Sequence, residues 1–259
     1  MESLPNIEVI RTARQAAVLR TENAAEDTLG KLEVRFSKFG QWYEIDSIWE
    51  GRFLERVMPG AFTKTIADNA GRMQALFNHG FDPSIGQKVL GPVVGLREES
   101  DSPVMEVDLL DTSYNRDLLP GLKRSLYGSS MRMRVVDDAW DKSPARSKHN
   151  PEGIPERSIT QAAVAEAGPV TFPANPGSTS AMRSGTDAYY EQLRAIDPSR
   201  VDELERSLHS LPRSAAIKRT SDTEAATNPP SEPACDHSGG LTPAQRRERI
   251  INPKGIRHG

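Results

Sequence analysis

A chain of 259 residues fits one ordinary domain with extensions, or two small domains. A net charge of −3 gives no electrostatic case for nucleic acid as the main partner, and one cysteine, Cys235, excludes an internal disulfide and a cysteine-built zinc site. Hydrophobic content of 36% and a mean hydropathy of −0.57 are low for a compact domain, so part of the chain is expected not to pack. No apolar run approaches the roughly 18 residues of a membrane span. The first residues, MESLPNIEVIRTARQ, lack the apolar core of a secretory signal, which points to the cytoplasm.

Residues 1–30 are polar and Ala-rich without sustained periodicity and read as an N-terminal extension. In KLEVRFSKF, Leu32, Val34 and Phe36 alternate with Lys31, Glu33 and Arg35, the pattern of a half-buried strand. QWYEIDSIWEGRFLERV continues strand-like, Pro59-Gly60 turns the chain, and 61–69 reads as a short helix. MQALFNHG is a short apolar run that leaves His79 at a strand end or in the loop beyond it. VLGPVVGLREES and VMEVDLLD read as two more strands. TSYNRDLLPGLKRS places Leu118, Leu119 and Leu122 on one helical face, but Pro120-Gly121 argues against a helix there.

SLYGSSMRMRVV is a strand with two serines at its head. Alternation puts Ser129 with Met131, Met133 and Val135 on one face, and Ser130 with Arg132 and Arg134 on the other. Ser130 is therefore the better candidate nucleophile. After a charged, Pro-rich loop at 141–157, SITQAAVAEAGPVTFPANP is a last strand closed by Pro173 and Pro176. Residues 31–176 thus hold several short strands and one or two helices, an α+β, mostly-β single domain. In DPSRVDELERSLHSL, Val201, Leu204, Leu208 and Leu211 have helical spacing, with Ser199 and Asp202 as cap residues. Residues 212–259, rich in Pro, Ser, Thr, Ala and Gly, read as a disordered tail.

A serine hydroxyl needs a base within hydrogen-bond reach. Of His79, His149, His209, His237 and His258, only His79 ends an apolar run inside the foldable part, where a base can be held still. No G-x-S-x-G signature supports the pairing, and a solvated strand face accounts equally for Arg132 and Arg134.

Four segments in order, VMPGAF, LFNHGFDPSIGQ, LLDTSYNRDLLPGLKRSLYGSSMRMRV and AEAGPVTFPANP, resemble the prohead serine proteases of tailed phages, related in fold to herpesvirus assemblins. The resemblance covers roughly 31–180. It implies an assemblin-like α+β fold with a barrel-like β core and flanking helices. It also implies that His79 matches the family's histidine base, Ser130 its nucleophile and Glu166 the acidic third member. Two departures stand out: Ala167 and Gly168 replace the usual Val and Ser, and Arg132 replaces a common Gly. His149 is the rival third member, since assemblins use a second histidine. Arg132, Arg134 and Arg157 are candidate oxyanion donors.

The resemblance implies a serine endopeptidase that cleaves scaffold segments of the capsid protein, and itself, inside an immature shell in the host cytoplasm. Residues 31–180 would form the protease domain and 181–211 a helical segment, with 186–211 as a docking helix. A homo-oligomer is possible. No cofactor, metal, membrane or specific nucleic-acid partner is implied. The competing expectation is a non-catalytic assembly scaffold that keeps the fold.

Overall fold

The computed structural model describes residues 7–14, 17–21, 26–69, 72–171 and 182–210. In chain order the strands are β1 (Val9–Ala13), β2 (Val18–Arg20), β3 (Thr28–Arg35), β4 (Tyr43–Ser47), β5 (Gly51–Val57), β6 (Gln74–Ala75), β7 (Val93–Glu98), β8 (Pro103–Leu110), β9 (Gly128–Asp141), β10 (Glu156–Val170) and β11 (Met182–Ser184). The helices are α1 (Thr63–Asn69), α2 (Ser113–Lys123), α3 (Thr186–Ile196) and α4 (Pro198–Ser210), with a 3₁₀ turn at Asn78–Gly80. Residues 212–259, Pro173 and Pro176 lie outside the described residues.

The architecture is α+β and mostly strand, in two sheets. The smaller runs β2-β3-β8-β7 and the larger runs β11-β1-β9-β10-β5-β4, with β6 also paired to β10. One correction to the expected barrel-like core follows. The end strands β11 and β4 come within 8 Å of each other, yet no pairing between them closes a barrel among the described residues. The larger sheet curls because its long central strands twist, and β-bulges in β10 increase that twist.

Alternation shapes β3 and β8, where Leu32, Val34, Met105, Val107 and Leu109 are buried against charged residues on the opposite face. They meet Phe36, Phe53 and Phe62 in one core, with Phe36 and Phe62 edge-to-face at 5.4 Å. β1 lies in the stretch read as an extension, yet it is interior to the larger sheet, between β11 and β9. All five of its residues are buried. The charge of Arg11 is matched there by Glu50 at 2.5 Å and Glu55 at 2.6 Å, so no buried charge is left alone.

α2 forms despite Pro120. Thr112 caps it by accepting from the Asn115 N–H, and Leu118 and Leu122 are buried on one face. Pro120 removes one donor late in the helix, which that burial offsets. α4 is capped by Asp197, not by Ser199 or Asp202. Its carboxylate accepts from the Arg200 N–H at 3.1 Å, and Pro198 sits at the first helical position, where a missing N–H costs nothing.

Candidate active site

Ser130 sits near the start of β9, the strand between β1 and β10. It is in register with Thr12 on β1 and Gly168 on β10, so those positions share its face. Ser129 points the other way and donates to the Arg35 carbonyl on β3. The two serines therefore part as strand alternation requires.

Glu166 reaches the Ser130 face through a bulge. Val164 is paired with Met133, and Glu166 with Arg132, so Ala165 is an extra residue on β10. In an unbroken strand Val164 and Glu166 would share a face; the bulge puts the carboxylate on the opposite side.

His79 arrives from β6, which runs parallel to β10 with Gln74 opposite Glu166 and Ala75 opposite Ala167. The chain then turns sharply through Asn78 (φ 47°) and His79 (φ 57°), both left-handed. Such backbone costs energy for a residue with a side chain and persists where neighbours hold it. Here Asn78 bonds Thr171 twice, donating to its hydroxyl at 2.8 Å and accepting from its N–H at 2.9 Å. Gly168 allows the close approach: a Cβ there would stand 1.7 Å from the Leu76 carbonyl oxygen.

The result is a contiguous relay. His79 Nε2 lies 2.8 Å from Ser130 Oγ, and His79 Nδ1 is hydrogen-bonded to Glu166 Oε1. Ser130 and Glu166 are buried, and the His79 side chain is 12% exposed. A carboxylate on Nδ1 fixes the tautomer whose Nε2 accepts the serine proton. Ser130 itself has no solvent-exposed surface.

Further groups surround the relay. Arg132 Nε is 3.7 Å from Glu166 Oε1, and Arg132 Nη1 bonds Glu8 at 2.9 Å. Burial works against the Arg132 charge, but Tyr189, Glu8 and Glu166 outweigh it and raise its pKa. α3 brings Tyr189 edge-on to His79, ring centres 6.3 Å apart. Burial pushes the Tyr189 hydroxyl's pKa up.

The other sequence candidates lie elsewhere. His149 bonds Ser147 at 3.0 Å and Glu156 at 2.9 Å and stacks on Trp42. Arg157 pairs with Glu55 and Asp138, and Arg134 is exposed. Among the described residues no group of three or more His, Cys, Asp or Glu is placed to hold a metal ion, and no helix is long and apolar enough to cross a membrane.

The family model for the caudovirus prohead serine protease matches residues 17–192. The chain belongs to that family. The prohead protease family is one of serine peptidases, and it places the general activity in phage capsid maturation. No curated protein matches this prohead protease sequence. A search of solved structures finds the capsid assembly protease of bacteriophage T4 at 7% identity and a TM-score of 0.29, covering 57% of this chain and 100% of that one, a likeness too distant to inform the site. Sequence reading did not single out Thr12, Asn78 or Tyr189 as neighbours of the site. Thr12 precedes the residues the family model matches.

Proposed function

We propose that this prohead protease is an endopeptidase in which Ser130 is the nucleophile, His79 the general base and acid, and Glu166 the residue that orients His79. The observation that carries the reading is the unbroken line Ser130 Oγ, His79 Nε2 at 2.8 Å, His79 Nδ1, Glu166. Ser130 Oγ attacks the scissile carbonyl carbon while its proton passes to His79 Nε2. The tetrahedral intermediate collapses, the C–N bond breaks, and His79 returns the proton to the leaving amine. Water then repeats the sequence on the acyl-enzyme.

Its substrates are scaffold segments of the capsid protein inside the immature shell, and the protease itself. The reading of 212–259 as a substrate-like tail belongs to this proposal, as does kinship with the assemblins, while the protease domain is wider than 31–180 because β1, β11 and α3 surround Ser130 and His79. Extended polar chain enters an active-site groove readily, which favours self-cleavage in the tail. Intact-mass spectrometry of the purified full chain, incubated alone and with immature capsid shells, tests it. Truncation within 181–259 and shortened capsid protein are expected, both abolished by Ser130→Ala. Undiminished cleavage by Ser130→Ala overturns it.

A further inference from the structure

We propose that Thr12 is a second catalytic hydroxyl that stabilises the oxyanion of the tetrahedral intermediate. The inference rests on Ser130 being the nucleophile.

The need for such a group follows from where the nucleophile sits. A serine on a sharp turn has free backbone N–H groups beside it, and these commonly cradle the oxyanion. Ser130 is instead on an inner strand. Ser130 and Met131 are each in register with β1 on one side and β10 on the other, so their N–H groups belong to the two ladders. The amides after His79 are engaged too: the Gly80 N–H donates to the Phe77 carbonyl at 2.9 Å and the Phe81 N–H to the Asn78 carbonyl at 3.0 Å. A side-chain donor is left to do the work.

Arg132 is poorly placed for it. Its Nη1 is held by Glu8 and Tyr189, and its Nε, which makes no hydrogen bond among the described residues, lies 3.7 Å from Glu166 Oε1, at the far end of the relay from Ser130. Thr12 is well placed. Directly opposite Ser130 across the β1–β9 pair, its Oγ1 lies 3.1 Å from Ser130 Oγ, and both side chains are buried.

Hydrogen counting sets the direction of this bond. The Ser130 hydroxyl carries one proton, and in the reactive arrangement it goes to His79 Nε2. Ser130 Oγ then accepts, and Thr12 Oγ1, for which Ser130 is the hydrogen-bond partner among the described residues, donates. The Arg11 carbonyl, at 3.2 Å from Ser130 Oγ, is the longer competing acceptor. When Ser130 Oγ bonds to the substrate carbon, the carbonyl π electrons move onto the carbonyl oxygen. The two oxygens of that tetrahedral carbon lie closer together than a hydrogen-bond length. A donor already touching one of them reaches the other by rotation about a single bond. No proton leaves Thr12: it donates to the oxyanion of acylation and again to that of deacylation, and returns to Ser130 when hydrolysis of the acyl-enzyme frees the serine hydroxyl.

The test compares Thr12→Val, Thr12→Ser and Ser130→Ala in the full chain. Two readouts serve: p-nitrophenyl acetate turnover, and the rate at which a fluorophosphonate probe labels Ser130, followed by intact mass. Thr12→Val keeps shape and removes the donor; a fall in kcat of about 10²–10³-fold at unchanged KM is expected. Thr12→Ser restores the hydroxyl and is expected within a few-fold of wild type, which a packing role for the threonine methyl would not allow. Full activity in Thr12→Val, or Thr12→Ser as damaged as Thr12→Val, overturns the assignment. If Ser130→Ala is inert while Thr12→Val is fully active, this inference alone fails. If wild type is unreactive, or Ser130→Ala retains wild-type turnover, the proposed function fails with it.

Discussion

Gly168→Ala tests how the histidine is held. β6 lies so close to β10 that a methyl at 168 would stand 1.7 Å from the Leu76 carbonyl oxygen and 2.8 Å from its carbon. Both atoms are backbone, so no side chain can swing aside. Ordinary contact begins at 3.4 Å, and the Leu76 backbone just after β6 must retreat by about 1.7 Å to restore it. Leu76 is followed two residues later by the left-handed pair Asn78 and His79, so the imidazole moves with it. A misplacement of about 1 Å at reacting groups costs on the order of 10²-fold in rate. Strain of this kind costs about 1–3 kcal/mol of stability, a fall in Tm of several degrees for a chain of this size. Turnover of p-nitrophenyl acetate and thermal unfolding should thus separate: a folded protein with about 1% of wild-type kcat. A variant with wild-type turnover would refute the claim that the Leu76–Gly168 contact sets the position of His79.

Glu166→Gln should lower kcat by about 10³–10⁴-fold with KM little changed, because an amide cannot stabilise the imidazolium. His149→Ala should leave turnover near wild type, and the reverse pattern in steady-state kinetics would transfer the orienting role to His149. Glu55→Gln probes acid stability. Burial favours the neutral Glu55, but Arg11 first, then Arg157 and Tyr43, outweigh it and hold its folded pKa below the ordinary 4.5. A depressed carboxylate stabilises the fold fully above its unfolded pKa, and that contribution is lost as pH falls through the folded value. Glu55→Gln should therefore cost about 3–5 kcal/mol at neutral pH and flatten the loss of stability below pH 4.5, read from urea unfolding across pH. An acid profile as steep as wild type would contradict it.

The parts of this molecule that alternate were legible. β3 and β8 each have one partly exposed face, and their period of two shows in the letters; β9 keeps that period although its head, Gly128, Ser129, Ser130 and Met131, is buried on both faces. From that period alone Ser130 separates from Ser129, as it does in space. β1 is hidden because all five of its residues are buried, and Arg11 in its centre looks like a surface residue until Glu50 and Glu55 are seen beside it. Thr12 was invisible for the same reason. Glu166 was reached by resemblance; simple alternation from Val164 would have aimed it at the wrong face, because a bulge shows no mark in sequence. Pro120 was over-weighted, since the missing donor costs less than the burial of Leu118 and Leu122 repays. Closure of the β core could not be read at all, because it depends on whether β11 and β4 pair.

The larger sheet also has a consequence in time. Its order puts the earliest described strand, β1, between β9 and β11, and the side chains around Ser130 come from widely separated parts of the described chain. A ribosome must therefore release most of the polypeptide before Thr12, His79, Ser130 and Glu166 can meet. Sheets built from such distant partners assemble slowly. A newly made copy is for that interval without the contiguous side chains that its folded form brings together.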